Sequence, residues 1–247
     1  MSLSDQDVSI YLPAKRVANA EVMQALRTIP LLGQLGDRVL DRIAAFSRLV
    51  AIDSDIELYR QGEPASHLYV VINGQVAGFN VASNGNTTII DVIHAGQTLG
   101  LATVLARLPR MMGVRTVADS LLLQIEAEGL LALIEEEPSL VAVLLRAEAN
   151  EFSALVQQVC DLKLRTTAQR LGCYLLSLSK ERYGNTSALR LPFDKRLLAA
   201  RLGCRQENLS RAFAALRHCG VETHGARVIL HDIARLRAYA EPDELPA

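Results

Sequence analysis

The 247-residue sequence lacks tryptophan entirely, and only 4% of its residues are aromatic. It also lacks long apolar runs, since no stretch reaches the roughly 18 uninterrupted apolar residues of a membrane-spanning helix. The first residues show neither the basic start nor the apolar stretch of a secretory signal, so we expect a cytoplasmic protein without a membrane partner. Half of the residues are hydrophobic and 21% are charged, a composition that excludes a disordered chain and a collagen-like repeat.

Cysteine is also scarce, and its four occurrences are widely spaced: Cys160, Cys173, Cys204 and Cys219. Zinc and iron–sulfur sites need thiolates that converge on one centre. The sequence has no C-x-x-C pair, so we interpret all four as buried free thiols.

Acidic and basic residues are unevenly distributed along the chain. Residues 1–165 contain 13 basic and 19 acidic residues, whereas residues 166–247 contain 13 and 8. The basic excess is concentrated between residues 193 and 217. This concentration is typical of a surface that binds the phosphate backbone of nucleic acid, although a solvated helix face would give the same pattern.

The first half of the chain shows two kinds of hydrophobic pattern. Residues 20–50 follow a helical period, and residues 49–125 form short β-rich runs separated by turn residues. Asn73-Gly74 and Asn84-Gly85 predict hairpin turns, because Asn-Gly supplies the positive φ angles of a type I′ turn. Closely spaced strands without intervening helices predict an antiparallel barrel, sandwich or jelly roll.

A long helix without a breaker is predicted from Ser139 to Arg165. Its apolar residues alternate at spacings of four and three, which is typical of a coiled-coil seam between two copies of a chain. Glu148 is the one interruption of this seam, which comprises Val141, Leu145, Phe152, Leu155, Val159 and Leu162. The alternative is that the helix packs against the chain's own β domain.

The last third of the chain predicts a winged helix-turn-helix. Two helices meet at Gly203, and two short strands flank Gly225. Their expected core is Leu198, Leu202, Leu209, Phe213 and Leu216.

The second helix carries the candidate DNA-reading residues. Glu207, Ser210 and Arg211 share one face near its start, where Arg can bind guanine and Glu can accept from cytosine. An ordinary exposed helix face is the alternative. The full set of candidate DNA contacts is Arg205, Gln206, Glu207, Ser210, Arg211 and Arg217.

Three motifs within about residues 22–240 resemble the CRP/FNR family of bacterial transcription regulators. The long helix is similar to the family's dimerisation helix, and Glu207-x-x-Ser210-Arg211 resembles the reading triplet of the FNR and DNR branches. The family's early β-roll signature resembles Tyr59-Arg60-Gln61-Gly62-Glu63-Pro64-Ala65 and the following Leu68 to Val76.

The resemblance implies an α+β fold with an N-terminal double-stranded β-helix (a cyclic-nucleotide-binding-like jelly roll), a dimerisation helix and a winged helix-turn-helix. We assign a leader to residues 1–21, the β-roll to 22–138, the dimer helix to 139–165 and the DNA-binding domain to 166–247.

Function also follows from the resemblance. It implies a homodimer that binds double-stranded DNA at a palindrome with TTGAT-like half-sites, and that contacts RNA polymerase. Arg211 and Glu207 would read the G·C pair, and Gln206 replaces an Arg of several relatives, which leaves the exact half-site open.

The effector site departs from the pattern of the nucleotide-binding relatives. Gly100 and Arg110 match the pattern. Leu101, however, replaces the Glu that contacts the ribose in those relatives, and Met111 replaces the Ser that contacts the phosphate. Arg115 lies nearby in the sequence. Each lost interaction is worth roughly 1–3 kcal/mol, so the sequence argues against cyclic AMP.

The resemblance brings in two other sensor chemistries, an iron–sulfur cluster and a haem. An iron–sulfur cluster of the FNR type needs cysteines near the N-terminus, and the first here is Cys160, which argues against it. A haem sensor would need an axial ligand, for which His67 and His94 are candidates and Met111 and Met112 weaker ones. The effector therefore stays unknown.

Two other function classes compete with a DNA-binding regulator. One is a cyclic-nucleotide-binding regulatory module without DNA function, which the basic helix-turn-helix disfavours. The other is an enzyme, but His218, His224 and His231 lack a nucleophile at suitable spacing, so we expect no catalysis.

Overall fold

The computed structural model describes residues 19–81, 87–179, 185–191 and 195–240. The chain divides between Glu151 and Phe152 into two compact units. Its α-helices are α1 (Asn19–Thr28), α2 (Asp37–Ala45), α3 (Leu101–Leu105), α4 (Ala127–Glu136), α5 (Pro138–Leu164), α6 (Thr167–Leu178), α7 (Lys195–Arg201), α8 (Gln206–Leu216) and α9 (Ile233–Ala240). Its strands are β1 (Ser47–Ile52), β2 (Glu57–Tyr59), β3 (His67–Asn73), β4 (Gln75–Val81), β5 (Thr87–His94), β6 (Thr98–Leu99), β7 (Gly113–Thr116), β8 (Ser120–Glu126), β9 (Ser187–Arg190), β10 (Val221–His224) and β11 (Arg227–Leu230).

The first unit is a jelly roll of two four-stranded antiparallel sheets, with orders β1-β8-β3-β6 and β2-β7-β4-β5. The predicted fold class is therefore confirmed. One core lies inside the roll and includes Val71, Val76 and Leu122. A larger core packs the other face of the first sheet, including Leu68 and Val70, against the helices.

The prediction of a hairpin at Asn73-Gly74 is wrong. Strands β3 and β4 belong to different sheets, so the turn is the corner at which the chain crosses between them. Gly74 has a φ of +88°, and a Cβ there would collide with Ser120. Asn-Gly thus indicates a positive φ correctly but does not determine which strands pair. The second hairpin signal, at Asn84-Gly85, lies outside the described residues.

The N-terminal helical region also differs from its prediction. Helix α2 ends at Ala45, and β1 begins at Ser47, because residues up to Val50 pair with β8 instead of extending the helix. Helix α1 starts at Asn19, inside the expected leader. Residues 1–18 lie outside the described part of the chain.

The second unit is a winged helix-turn-helix, as predicted. A capping box between Thr166 and Gln169 starts α6, and α7 and α8 follow β9. Strands β10 and β11 form the wing, and β11 also pairs with β9. Helix α9, which the sequence reasoning missed, packs closely on α6 near Gly172.

No helix among the described residues combines the length and apolar character needed to cross a membrane.

Candidate nucleic-acid interface and effector site

Helix α8 is placed by the turn that precedes it. Gly203 in this turn has a φ of +61°, a conformation that favours glycine. The inner face of α8 buries Leu209, Ala212, Phe213 and Leu216, which confirms the core predicted for the motif. The periodicity that buries these residues leaves the opposite face exposed.

The exposed face of α8 gathers the predicted reading residues at its N-terminal end. Glu207, Ser210 and Arg211 are all exposed, and Arg205 and Gln206 are exposed immediately before them. Arg217 follows the end of the helix, roughly 16 Å along its axis from Gln206 at 1.5 Å per residue. This exposed face therefore has the predicted reading residues at one end and a cation at the other.

The wing adds polar groups that the sequence analysis treated only in part. Glu222 accepts a hydrogen bond from Nε2 of His231 and another from Nε2 of His224, each at 2.8 Å. These bonds hold the pKa of Glu222 below its usual value. Arg227, exposed two residues after Gly225, is a further cation that sequence reasoning missed, and its only signal was its place just after that turn.

In the β-roll, the structure brings Gly100 and Arg110 together. Gly100 precedes α3 with a φ of +77°, and a Cβ there would collide with the Arg110 guanidinium. Arg110 is only 3% exposed, lies 4.2 Å from the centre of the Tyr59 ring and donates from Nη2 to the carbonyl of His67. Its Nε and Nη1 are buried and have no hydrogen-bond partner in the described residues.

The other predicted effector residues have different surroundings. Leu101 is 1% exposed and belongs to the core against the helices, whereas Met111 is 61% exposed. Arg115 is exposed and pairs with Asp55 at 3.4 Å and with Glu57 at 3.5 Å.

Two tyrosines that the sequence reasoning missed complete the surroundings of Arg110. The rings of Tyr59 and Tyr69 stack with centroids 5.9 Å apart. Burial raises the pKa of Tyr59 to about 12 and also raises the pKa of Tyr69. Both therefore stay neutral and offer ring faces, not negative charge, to the guanidinium.

Near Arg110, a cleft of about 240 Å³ is lined by Arg48, His67, Gln124 and Glu126 among others. Arg48 donates from Nε to Oε1 of Gln124 (2.8 Å), and Gln124 donates from Nε2 to the Tyr69 hydroxyl (3.3 Å). Burial, followed by the charges of Arg48 and Arg110, lowers the pKa of His67.

These residues do not fit a haem. The volume of the His67 cleft is below the roughly 300–1,000 Å³ of sites for drug-sized ligands, and its lining combines the charged Arg48 and Glu126 with the apolar Ala45 and Phe46. The other haem candidate, His94, is partly buried at the end of β5, where its backbone N–H donates to Gln97.

The predicted dimer seam on α5 is exposed in a single chain. Its six apolar residues are between 41% and 68% exposed: Val141, Leu145, Phe152, Leu155, Val159 and Leu162. The first turns of α5 also bury Leu140, Val143 and Leu144 in the first unit, so the alternative of packing on the chain's own β domain holds there.

Glu148 interrupts this seam beside two further acids. Its Oε1 is buried without a hydrogen-bond partner in the described residues, and burial raises its pKa. Burial also raises the pKa of Glu151, with smaller contributions from the charges of Glu148 and Asp91.

Glu148→Gln is expected to stabilise the protein at pH 7 by a few tenths of a kcal/mol, a modest gain because the side chain is only partly buried. The raised pKa means that the contribution of Glu148 to wild-type stability falls as pH rises from the ordinary value of 4.5 through the folded value. The advantage of the variant should thus grow between pH 4.5 and pH 7 and stay constant above. Urea unfolding across this range measures it, with Glu135→Gln, at an exposed acid on α4, as control. An advantage independent of pH would contradict the assignment.

Residues 50–137 match the model of the cyclic nucleotide-binding domain, and residues 169–239 match that of the Crp-like helix-turn-helix domain. A solved structure from Ruegeria pomeroyi, described as a cyclic nucleotide binding protein, is 30% identical and covers 92% of this chain and 100% of its own, with a TM-score of 0.63. The chain belongs to the CRP/FNR family of transcription regulators. The resemblance seen in the sequence is thereby confirmed, and the competing module without DNA function is disfavoured.

Other relatives of this CRP/FNR protein match less of it. The CRP-like cAMP-activated global transcriptional regulator of Mycobacterium tuberculosis is 24% identical over 184 residues, which are 72% of this chain and 82% of that relative. An uncharacterised NTE family protein of Mycobacterium bovis is 31% identical over 138 residues, 56% of this chain. The match spans only 23% of that second relative's length.

Proposed function

We propose that this CRP/FNR regulator acts as a homodimer on a palindromic promoter site with TTGAT-like half-sites, under the control of a small anionic effector in the β-roll. The observation that carries the proposal is the exposed face of Glu207, Ser210 and Arg211 at the start of α8. We also propose that the protein is cytoplasmic, contacts RNA polymerase and catalyses no reaction.

The reading residues have distinct roles on DNA. The Arg211 guanidinium donates two hydrogen bonds to O6 and N7 of guanine, and the Glu207 carboxylate accepts from N4 of the paired cytosine. Ser210 contacts a base or a phosphate, and Gln206 lies beside it. Arg205 and Arg217 bind phosphates and set the register of the helix.

The dimer follows from the exposed seam. Six apolar residues at coiled-coil spacing on one helix face are stabilised when a second copy covers them. Twofold symmetry then presents two copies of α8 to half-sites about 34 Å apart, one turn of DNA.

A fluorescence-anisotropy titration at 0.15 M salt tests the proposed function. The full-length protein is titrated against a palindromic duplex and against a scrambled duplex of the same composition. We expect a preference of at least about 10³-fold for the palindrome, at two chains per duplex. Equal affinity for both duplexes would contradict the proposed function.

The burial of Arg110 supports the proposal that the effector is an anion. A guanidinium that is nearly fully buried, with two nitrogens unpartnered in the described residues, offers an anion two charge-assisted hydrogen bonds. Leu101 offers the ribose of cyclic AMP no acceptor, so we propose an anion that does not need one.

Arg110→Met is expected to leave the ligand-free protein as stable as the wild type or to stabilise it by about 1–3 kcal/mol. Methionine removes the buried unpaired donors, a gain that offsets the loss of the guanidinium's contact with the Tyr59 ring and of its bond to the His67 carbonyl. Urea unfolding of both proteins measures the difference. A loss of 3 kcal/mol or more would show instead that Arg110 is a structural residue.

A further inference from the structure

Arg170, in the first turn of α6, bonds to two other elements of the DNA-binding unit. It donates from Nε to the carbonyl of Leu202, in the turn before α8, at 3.0 Å. From Nη1 it donates to the carbonyl of Arg165 at 2.8 Å and, more weakly, to that of Asp161 at 3.5 Å. Arg165 directly follows the end of α5.

Two of these carbonyls, those of Leu202 and Arg165, lie one residue beyond the ends of helices, whereas that of Asp161 also accepts from the backbone N–H of Arg165 at 3.1 Å. The last carbonyls of a helix have no partner in the following turn, and a cation is favourable there. Leu202 follows the last residue of α7, and Asp161 lies in the last turn of α5. The planar guanidinium therefore joins the ends of two helices through one side chain, which the single nitrogen of lysine could not reproduce.

A second contact joins the same two places. A Cβ at Gly203 would lie 2.5 Å from Cδ2 of Leu162, so the leucine packs directly on the glycine backbone. Leu162 is the last residue of the predicted dimer seam. The end of the seam thus touches the turn from which α8 starts.

Helix α6 has anchors other than Arg170. Helix α6 is anchored by buried Leu171 and Leu175 and begins with the capping box of Thr166 and Gln169. Arg170 itself is only partly buried. Its bonds constrain an orientation more than they maintain a core.

We propose that Arg170 is a positioning residue that fixes the orientation of α8 relative to the C-terminal end of α5. Through Leu202 it sets the separation of the two reading helices in the dimer, and thus the half-site spacing that the protein selects, without touching DNA. This inference rests on the proposed function.

The test measures spacing preference with three variants of the full-length protein. Arg170→Met keeps an unbranched, apolar stem without the guanidinium donors, and Arg170→Lys keeps the charge without the planar fork. Arg235→Met, at an exposed position on α9, is the matched control for the loss of one charge from the unit. Each is titrated against palindromes whose spacer is changed by −2 to +2 base pairs, and against a duplex with a single half-site.

We expect the wild type and Arg235→Met to prefer one spacer by at least tenfold. Arg170→Met and Arg170→Lys should prefer it by threefold or less, and should bind the single half-site within twofold of wild type. If both variants kept the wild-type spacer preference, the inference would be overturned. It would also be overturned if the variants lost affinity equally for the palindromes and for the single half-site, because an equal loss indicates a merely structural role. If the wild type binds no palindrome better than the scrambled duplex, the proposed function fails instead.

Discussion

Arg211→Ala is expected to weaken binding to the palindromic duplex by about 2–6 kcal/mol, or roughly 30-fold to 10⁴-fold. Each lost bidentate pair with guanine is worth about 1–3 kcal/mol, and a dimer loses two of them. Arg211 is exposed on the face of α8 opposite Leu209 and Phe213, so its removal disturbs no packing. Anisotropy titration at constant salt measures the loss.

Two comparisons separate base reading from general charge in this experiment. Arg211→Lys keeps the charge but cannot present the same planar pair of donors, so we expect it to lose most of the preference. Binding of Arg211→Ala to the scrambled duplex should change by less than about threefold, because that binding depends on phosphate contacts. An equal loss on both duplexes would assign Arg211 to the phosphate backbone.

Leu155→Glu is expected to separate the dimer at micromolar concentration. Leu155 is exposed near the middle of the seam, between Phe152 and Val159. In the dimer its replacement would bury two carboxylates, at a cost of several kcal/mol per ion. Analytical ultracentrifugation should show a dimer for the wild type and a monomer for the variant, whose affinity for the palindrome should approach that for a single half-site.

Asn150→Glu provides the matched control for that variant. Asn150 is exposed on α5 outside the seam, so the same acid there should leave the dimer and its DNA affinity unchanged. If Leu155→Glu remained a dimer, or if Asn150→Glu dissociated equally, the interface would lie elsewhere on the chain.

The features that the sequence predicted best depend on local spacing. Glu207, Ser210 and Arg211 share a face because a helix has a fixed period, and the buried Leu209 and Phe213 follow from the same period. Asn73-Gly74 predicted a positive φ for the same local reason. It could not predict that β3 and β4 separate into two sheets, because pairing depends on strands far away in the sequence.

The candidate effector site shows what local patterns leave out. Tyr59 and Arg110 are stacked although 51 positions separate them, and neither residue type in its own segment indicates that contact. Likewise, the bond from Arg170 to Leu202 depends on how α6 packs beside the helix-turn-helix. Such contacts become visible only when the roll and the helices are assembled.

The most direct test of the account substitutes the base pair together with the residue that reads it. Wild-type protein and Arg211→Ala are each titrated against the palindrome and against a version in which the G·C pair of both half-sites is A·T. We predict that the wild type loses roughly 30-fold to 10⁴-fold on the substituted site, whereas Arg211→Ala loses at least about tenfold less, because only the contact of Glu207 with cytosine N4 remains to be lost. Equal losses by the two proteins would show that Arg211 does not read this base pair, and would contradict the account.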